Sequence, residues 1–264
     1  MKTTIFSGIA LICLALTVPV CGEEPNLPCR NVKKDMMDVV LWDKYSKQSG
    51  LLRISYAGKP VIKGDNNYLA LKNSDGKRSS LQTRFDSAAG YTTETTASGD
   101  VIYKSSKKFM EKAGATPMAT MDTVMTITGS SVKVQCRATA LQDLTFDGYE
   151  ANPVKMGFGM IAENMKGWTV EAKQGDELIM APIEIPFVKE HFKLNKLYDS
   201  AVFTGDGMSI SITGENCRIR FARYSDKSCE IYLGYKKQTN GAPYTLKKGE
   251  SYEFTFTVTF AKQQ

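Results

Sequence analysis

Apolar and polar residues alternate with a period of two along most of the chain, in short segments separated by turn residues. In Tyr252–Phe260 (YEFTFTVTF), aromatic residues or Val occupy every second position, with Thr or Glu between them. Such alternation is typical of strands that bury one face. The same pattern is present in Leu51–Tyr56, Tyr68–Leu71, Met121–Thr128, Ser131–Ala138, Val154–Ile161, Trp168–Ala172, Leu178–Ile183, Met208–Thr213, Cys217–Tyr224 and Ser228–Lys236.

Turn and helix signals complete the pattern. Gly129 and Ser130 join two of these strands by a two-residue link, which is typical of a tight hairpin. Helical spacing is confined to Ser105–Ala113 and Phe187–Tyr198. The sequence therefore predicts an all-β fold, a large antiparallel β-sandwich with one or two short helices.

The first 22 residues follow a different pattern. Lys2 precedes a continuous apolar run, and small residues follow it, which is the layout of a secretory signal. Two processing alternatives stay open: cleavage before Glu23, or acylation of Cys21 as the first residue of a lipoprotein. We expect residues 1–22 to be a signal peptide and residues 23–264 to form one β-sandwich domain. The protein is expected to be periplasmic or extracellular, with membrane contact only through a lipid anchor.

Four cysteines follow the signal segment: Cys29, Cys136, Cys217 and Cys229. An oxidising compartment permits two disulfides among them. The last three share their strand faces with apolar residues, as buried cysteines commonly do. Free thiols in the core are therefore the favoured interpretation.

The spacing of Cys217 and Cys229 tests one pairing. If their strands form a hairpin, Cys217 lies near Tyr235 and Cys229 near Arg223, so the two cysteines are about 20 Å apart along the ladder. A disulfide requires a Cα separation below ~7 Å. This pairing is therefore disfavoured.

Composition narrows the classes of function. The formal charge of +6 falls to +5 when the signal segment and its one Lys are removed, and the basic pairs are scattered, so no nucleic-acid partner is expected. The mild positive charge favours anionic ligands such as uronic-acid or sulfated glycans. A single His and the absence of a C-x-x-C motif predict no metal site and no cofactor.

Two segments resemble a known family. Gly50–Gly64 (GLLRISYAGKPVIKG) resembles the opening strand pair of galactose-mutarotase-like super-sandwich domains, and Gly249–Phe260 (GESYEFTFTVTF) is similar to their closing strand. Together they cover about a tenth of the chain. The resemblance implies the super-sandwich fold and a setting in bacterial glycan handling.

Candidate catalytic side chains are few. The resemblance implies a His–Glu acid–base pair and a second sugar-holding His in a true epimerase, but His191 is the single His here. His191 and Glu184 are the catalytic candidates, and a surface or packed ring on a short helix is the alternative for His191. Glycoside hydrolysis requires two carboxylates across a cleft, and no motif pairs the acidic residues.

Candidate binding residues lie on two predicted strands. Arg218 and Arg220 share the polar face of one strand, and Glu230 and Tyr232 share that of its partner. Arginine forks suit carboxylate or sulfate groups. The alternative is a cross-strand array of salt bridges on a solvated face. Trp168 opens a strand and is a candidate sugar platform at a rim, with burial in the core as the alternative.

Three functions stay open. The first is an exported β-sandwich that binds or presents a carbohydrate, with an anionic one favoured, without catalysis. The second is a lyase or hydrolase acting on glycans with the same fold. The third is a structural or protein-interaction lipoprotein anchored through Cys21.

Overall fold

The computed structural model describes residues 29–46, 50–72, 76–86, 90–148, 154–160, 162–184, 197–225, 228–235 and 241–263. Within these residues the chain forms strands β1–β19, and its helical structure consists of two 3-10 turns, Thr83–Phe85 and Ala162–Met165. No helix among them is long and apolar enough to cross a membrane. The predicted signal segment, including Cys21, lies outside the described residues.

One sheet has ten strands, which run in the order β1-β2-β3-β4-β11-β17-β16, while β5 and β10 also pair with β4, and β18 pairs with β10. All of these pairs are antiparallel. The strands are β1 (Cys29–Lys34), β2 (Met37–Ser46), β3 (Gly50–Tyr56), β4 (Lys59–Lys72), β5 (Arg78–Gln82), β10 (Leu144–Gly148), β11 (Val154–Met160), β16 (Cys217–Ser225), β17 (Ser228–Tyr235) and β18 (Gly241–Leu246).

The second sheet has nine strands in the order β13-β12-β14-β15-β19-β9-β8-β7-β6. These pairs are also antiparallel. The strands are β6 (Tyr91–Thr95), β7 (Val101–Phe109), β8 (Ala119–Ile127), β9 (Ser131–Ala140), β12 (Thr169–Gln174), β13 (Glu177–Pro182), β14 (Ser200–Gly205), β15 (Met208–Glu215) and β19 (Ser251–Lys262).

The core lies between the two sheets, where apolar residues at every second position of each strand meet. Tyr56 of the ten-stranded sheet stacks on Phe260 of the nine-stranded sheet, with ring centroids 5.2 Å apart. Phe203 and Phe221 make an edge contact between the sheets at 6.2 Å. One continuous cluster of buried residues includes all four rings. The predicted all-β antiparallel sandwich is confirmed.

Both predicted hairpins are present. β8 and β9 pair from Ile127 and Val132 outward, around the Gly129–Ser130 turn. A side chain at Gly129 would collide with the Asp35 carboxylate, because a Cβ there would lie 1.8 Å from Oδ2. Any larger residue at Gly129 therefore requires the exposed Asp35 side chain to move.

The second hairpin has the predicted register. Cys217 pairs with Tyr235 and Cys229 pairs with Arg223, at opposite ends of the β16–β17 ladder. The thiols of Cys136 and Cys217 are buried, and neither is part of a disulfide. Burial raises the pKa of Cys217 to about 12, so it remains a neutral thiol. The side chains of Cys29 and Cys229 lie outside the described residues.

The helix predicted at Ser105–Ala113 is wrong. Residues up to Phe109 belong to β7, and bends and turns follow it. Tyr103, Ser105, Lys107 and Phe109 are buried while the residues between them are exposed, which is strand periodicity. The pairing of β7 with β6 and β8 outweighs the helix propensity of its lysine-rich segment.

Most of the helix predicted at Phe187–Tyr198 lies outside the described residues. Its described end is not helical, because Tyr198 forms an isolated bridge with Ile219 of β16. Tyr198 is buried and its ring packs on Phe221 at 5.5 Å. Burial raises the pKa of Tyr198. The apolar spacing thus includes a core residue in extended backbone.

Polar contacts at the ends of the hairpins join the two sheets. Trp168 Nε1 donates a 3.0 Å hydrogen bond to Asp206 Oδ2, and Lys59 forms an ion pair with the same carboxylate. The Lys59 ammonium lies 5.6 Å from the Trp168 ring centroid. Asp206 and Trp168 belong to the nine-stranded side, whereas Lys59 begins β4. We name Lys59, Trp168 and Asp206 the seam cluster.

Candidate functional site

The outward face of the ten-stranded sheet lacks side chains at its centre. Along β11 and β17, core residues such as Met156 and Leu233 alternate with outward positions. Three of these outward positions are glycines, Gly157, Gly159 and Gly234. These glycines alternate along the two strands with outward positions that carry side chains, such as Lys155 and Tyr232. We name these three glycines the glycine floor.

The register places cations beside two of the three floor glycines, Gly159 and Gly234. Gly159 is opposite Lys63 on β4, and Lys63 in turn is opposite Arg53 on β3. Gly234 lies between Lys155 on β11 and Arg218 on β16. Gly157 is opposite Tyr232, whose partner on the other side is Arg220. We name the five cationic residues the cationic rim: Arg53, Lys63, Lys155, Arg218 and Arg220.

Tyr232 is the centre of the best-defined contacts on this face. The Lys155 ammonium lies 4.8 Å and the Arg220 guanidinium carbon 5.3 Å from its ring centroid. Tyr68 meets the same ring edge-on at 5.9 Å. Cations within about 6 Å of a tyrosine ring are attracted by its quadrupole. The ring therefore holds two cationic side chains in place beside the floor.

Several outward positions of this face are buried. Lys155 is only 9% exposed although its neighbours on β11 show that it points away from the core. Val40, the cross-strand partner of Arg53, and Ser55, two residues from Arg53 on β3, are also buried at outward positions.

Two carboxylates compensate part of the charge. Asp199 forms an ion pair with Arg218, and burial lowers the pKa of that guanidinium. Asp38 lies 3.9 Å from Lys33 near the β1 edge. The salt-bridge interpretation of the arginine face thus applies to Arg218, which is already paired.

The predicted binding residues are distributed as follows. Arg218, Arg220 and Tyr232 share the outward face of adjacent strands, as expected. The Glu230 backbone is opposite Gly159 and Ala222, and its side chain is outside the described residues.

A rim position for Trp168 is wrong. The side chain is 1% exposed and belongs to the core cluster. A Cβ at Gly205 would lie 2.3 Å from the indole, so the glycine leaves the space that the ring fills. Since both faces of the ring are covered, Trp168 stabilises the seam and offers no platform for a sugar.

Of the two catalytic candidates, the structure describes Glu184, which belongs to the other sheet's side. Glu184 is exposed and follows β13 of the nine-stranded sheet. His191 lies outside the described residues. In the described part of the chain, no three His, Cys, Asp or Glu side chains are grouped to hold a metal ion.

The sequence reasoning missed Arg53, Lys63, Tyr68 and Lys155. A signal for Lys155 was present in VKMGFGM, where Val and Met alternate with Lys and Gly. Strand parity places Lys155 and the glycines on one face, opposite the apolar residues. Assembly of β3, β4, β11 and β17 into neighbours is a long-range property that parity does not predict.

One concavity of the described residues lies across β6, β7 and β8 of the nine-stranded sheet. Its volume is about 550 Å³, and its lining includes Lys104, Ser106 and Asp122. Ser106 donates a 2.6 Å hydrogen bond to Asp122, and Lys104 bonds Glu94 at 2.9 Å. These polar groups therefore already satisfy one another.

Comparison with known proteins identifies the fold. No protein-family model matches the sequence, and no curated protein matches it. Among solved structures, the Slr1438 protein from Synechocystis superposes with a TM-score of 0.58 at 10% identity, covering 90% of this chain and 96% of that one. Galactose 1-epimerase from Lactobacillus acidophilus gives 0.57 at 7% identity, with 92% and 97% covered.

The same architecture also occurs within a larger enzyme. The alpha-galactosidase from Lactobacillus brevis superposes with a TM-score of 0.54 at 8% identity, covering 89% of this chain and 40% of that one. The chain therefore has the galactose-mutarotase-like fold, as the two short segments predicted. At these identities the likeness defines the fold, and function has to be argued from the site.

Proposed function

We propose that this protein binds an acidic carbohydrate on the outward face of its ten-stranded sheet, without catalysing a reaction. One observation carries the proposal: Lys155 and Arg220 flank the Tyr232 ring beside the glycine floor. The Tyr232 ring positions the two cations, and the two cations are donors suited to carboxylate or sulfate oxygens. The names of the structural neighbours, an epimerase and a galactosidase, support a role with carbohydrates.

The charges on this face favour binding over hydrolysis. Glycosidases place two carboxylates on either side of the scissile bond. Among the described residues of this face, the carboxylates of Asp38 and Asp199 are engaged by Lys33 and Arg218. The described cationic and phenolic residues beside the floor include Lys155, Arg220 and Tyr232.

Titration calorimetry with oligogalacturonates and with maltooligosaccharides of the same length tests the proposal. We expect the acidic series to bind, and Tyr232→Leu to weaken binding at least fivefold. Tyr91→Leu is the matched control, because Tyr91 is a half-buried ring that packs on Tyr103 in the other sheet. Absence of binding to any carbohydrate, or equal losses in both variants, contradicts the proposal. Release of new reducing ends during incubation would favour the enzymatic alternative.

We also propose that the protein acts outside the cytoplasm. The support is the Lys-then-apolar pattern of residues 1–22. N-terminal sequencing of the mature protein is expected to begin at Glu23. Palmitate labelling that disappears in Cys21→Ser would instead establish the lipoprotein alternative.

A further inference from the structure

The concavity across β6, β7 and β8 of the nine-stranded sheet is large enough for a small molecule. Its volume of about 550 Å³ lies within the range of roughly 300–1,000 Å³ that is common for small-molecule sites. Gly90 belongs to its lining, and a Cβ added there would meet no heavy atom of the described residues within 4 Å. The concavity is therefore open at this end.

Two neighbouring rows of side chains line this concavity. Thr92, Lys104 and Val124 are cross-strand partners in one row, and Ser106 and Asp122 are partners in the next. Along β7 and β8 these residues alternate with buried ones, so their side chains point away from the core. The lining thus combines one ammonium, one carboxylate, two hydroxyls and one apolar side chain.

The two charged groups of the lining are engaged in different ways. The Lys104 ammonium lies 2.9 Å from a Glu94 carboxylate oxygen, so its charge is balanced by an anion. Asp122 accepts a 2.6 Å hydrogen bond at Oδ1 from the Ser106 hydroxyl, and no cation among the described residues pairs with it. A carboxylate can accept about four hydrogen bonds, so the one from Ser106 leaves Asp122 with capacity for a ligand.

Arg137 is the cation closest to Asp122 in the register, because the two residues are direct partners on β9 and β8. Its Nε lies 3.3 Å from a Glu253 carboxylate oxygen and donates a 3.3 Å hydrogen bond to the Ser251 hydroxyl. Both of these groups belong to β19, on the side of β9 away from Asp122. The concavity therefore presents a carboxylate that no side chain of the described residues neutralises.

We propose that this concavity binds a small organic ammonium compound. Asp122 engages the ammonium group, and Ser106 is a positioning residue that orients the carboxylate. Hydrogen bonds between an ammonium and a carboxylate are about twice as strong as neutral ones. The Thr92 hydroxyl is available to a polar group of the ligand, and Val124 to its carbon atoms. This site lies on the other sheet from the proposed acidic-carbohydrate site and prefers the opposite ligand charge.

Titrations at pH 6 with four probes define the ligand class. Glucosamine and putrescine carry primary ammonium groups, whereas N-acetylglucosamine and glucose are neutral counterparts of the amino sugar. We expect at least one ammonium compound to bind with a millimolar Kd and the neutral sugars to bind this concavity at least tenfold more weakly. The two amines distinguish an amino sugar from an aliphatic amine. In ¹⁵N–¹H spectra, amide signals of β7 and β8 should shift while those of β16 and β17 stay in place.

Single variants test the two roles. Asp122→Asn is expected to weaken binding of the ammonium compound about tenfold or more. Ser106→Ala should weaken it about threefold, and Ser106→Thr, which keeps a hydroxyl, should restore it. Asp176→Asn removes the same charge from an exposed turn between β12 and β13 and is expected to change nothing. Thermal unfolding of each variant verifies that it folds.

Several outcomes would overturn the ammonium site. They are equal binding of glucosamine and N-acetylglucosamine at β7 and β8, an unchanged affinity in Asp122→Asn, and spectral shifts confined to the ten-stranded sheet. Absence of binding by both amines overturns it as well. None of these results bears on the acidic carbohydrate, because its binding is measured with different ligands and different variants.

Discussion

The outward faces of the two sheets carry different kinds of residue at their centres. The ten-stranded face has Gly157, Gly159 and Gly234 at its centre and cations around them. The centre of the nine-stranded face carries hydroxyl residues, such as Ser211 and its partner Thr259. A sandwich core needs only the inward positions, so the outward ones are available for function. On the ten-stranded sheet, glycines occupy three outward positions of two central strands.

Charge pairing differs between the faces as well. On the nine-stranded sheet, Lys104 contacts Glu94 at 2.9 Å and Arg137 contacts Glu253 at 3.3 Å, both across neighbouring strands. Exposed pairs of this kind contribute little to stability and leave no net field. On the ten-stranded sheet the cations meet an aromatic ring. The contrast lies in these two cation–ring contacts, in which Lys155 and Arg220 both approach Tyr232.

The largest expected effect on ligand affinity comes from adding a large side chain to the glycine floor. Gly157→Leu places a large side chain between Asn66 and Tyr232, at the middle of the floor. Since the backbone at Gly157 is not among the positive-φ positions, the fold is expected to accept the change. Affinity for acidic oligosaccharides should fall by about 100-fold or more, roughly 3 kcal/mol.

The matched change on the other face is Thr257→Leu, at the centre of β19. It adds a similar side chain to an outward position of the nine-stranded sheet, and binding should be unaffected. Calorimetry measures the affinity of each protein. If Gly157→Leu, Thr257→Leu and the unmodified protein bind with equal affinity, the ligand does not lie on the glycine floor.

The seam cluster separates stability from binding. Trp168→Phe removes the hydrogen bond to Asp206 and part of a buried ring, so unfolding should become easier by about 2 kcal/mol. Affinity at the ten-stranded face should be unchanged, because the indole is buried in the core. Urea unfolding and calorimetry measure the two quantities. A loss of affinity without a loss of stability would return Trp168 to the list of binding residues.

Strand parity predicted the inward residues better than the site. It placed Cys217 opposite Tyr235, and the hairpin has that register. Helical spacing, in contrast, gave a wrong prediction at Ser105–Ala113, because residues up to Phe109 form a strand with alternating burial. Lys107 is buried on the inward side there, which composition alone does not indicate.

The site depends on contacts that local sequence does not contain. Arg53 and Tyr232 are far apart along the chain, and they share a face because β4 and β11 lie between their strands. Arg218 and Arg220 look equivalent in sequence, yet Asp199 engages the first and the Tyr232 ring the second. Which arginine faces a ligand was therefore decided by tertiary structure.

A smaller effect is expected from single charges. Arg220→Gln removes one cation beside Tyr232 and should weaken acidic oligosaccharides about tenfold, roughly 1.4 kcal/mol. Lys133→Gln makes the same change in charge at an exposed position of β9 and should have no effect. Raising the ionic strength should narrow the gap between the unmodified protein and Arg220→Gln, since salt screens exposed charges. An equal loss of affinity in Arg220→Gln and Lys133→Gln would mean that the net charge of the protein determines binding, and not a specific site.

The smallest expected effect is a pH dependence of the free energy of unfolding that arises at the seam cluster. There the Asp206 carboxylate connects the two sheets and lies away from the proposed binding face. Hydrogen bonds from Lys59 and then Trp168 lower the pKa of Asp206 below its ordinary 3.8. The folded state thus binds this proton less tightly than the unfolded state. The stabilising contribution of the ionised Asp206 carboxylate is fully present above the unfolded pKa near 3.8 and is lost as the pH falls through the lower folded pKa.

Asp206→Asn should therefore lower the melting temperature at pH 7, and the melting temperatures of the variant and the unmodified protein should converge near pH 2. Lys59→Met should remove most of the same difference, and adding it to Asp206→Asn should change little further, because the two groups form one pair. A constant offset between Asp206→Asn and the unmodified protein from pH 7 to pH 2 would mean that the carboxylate charge contributes nothing to joining the sheets.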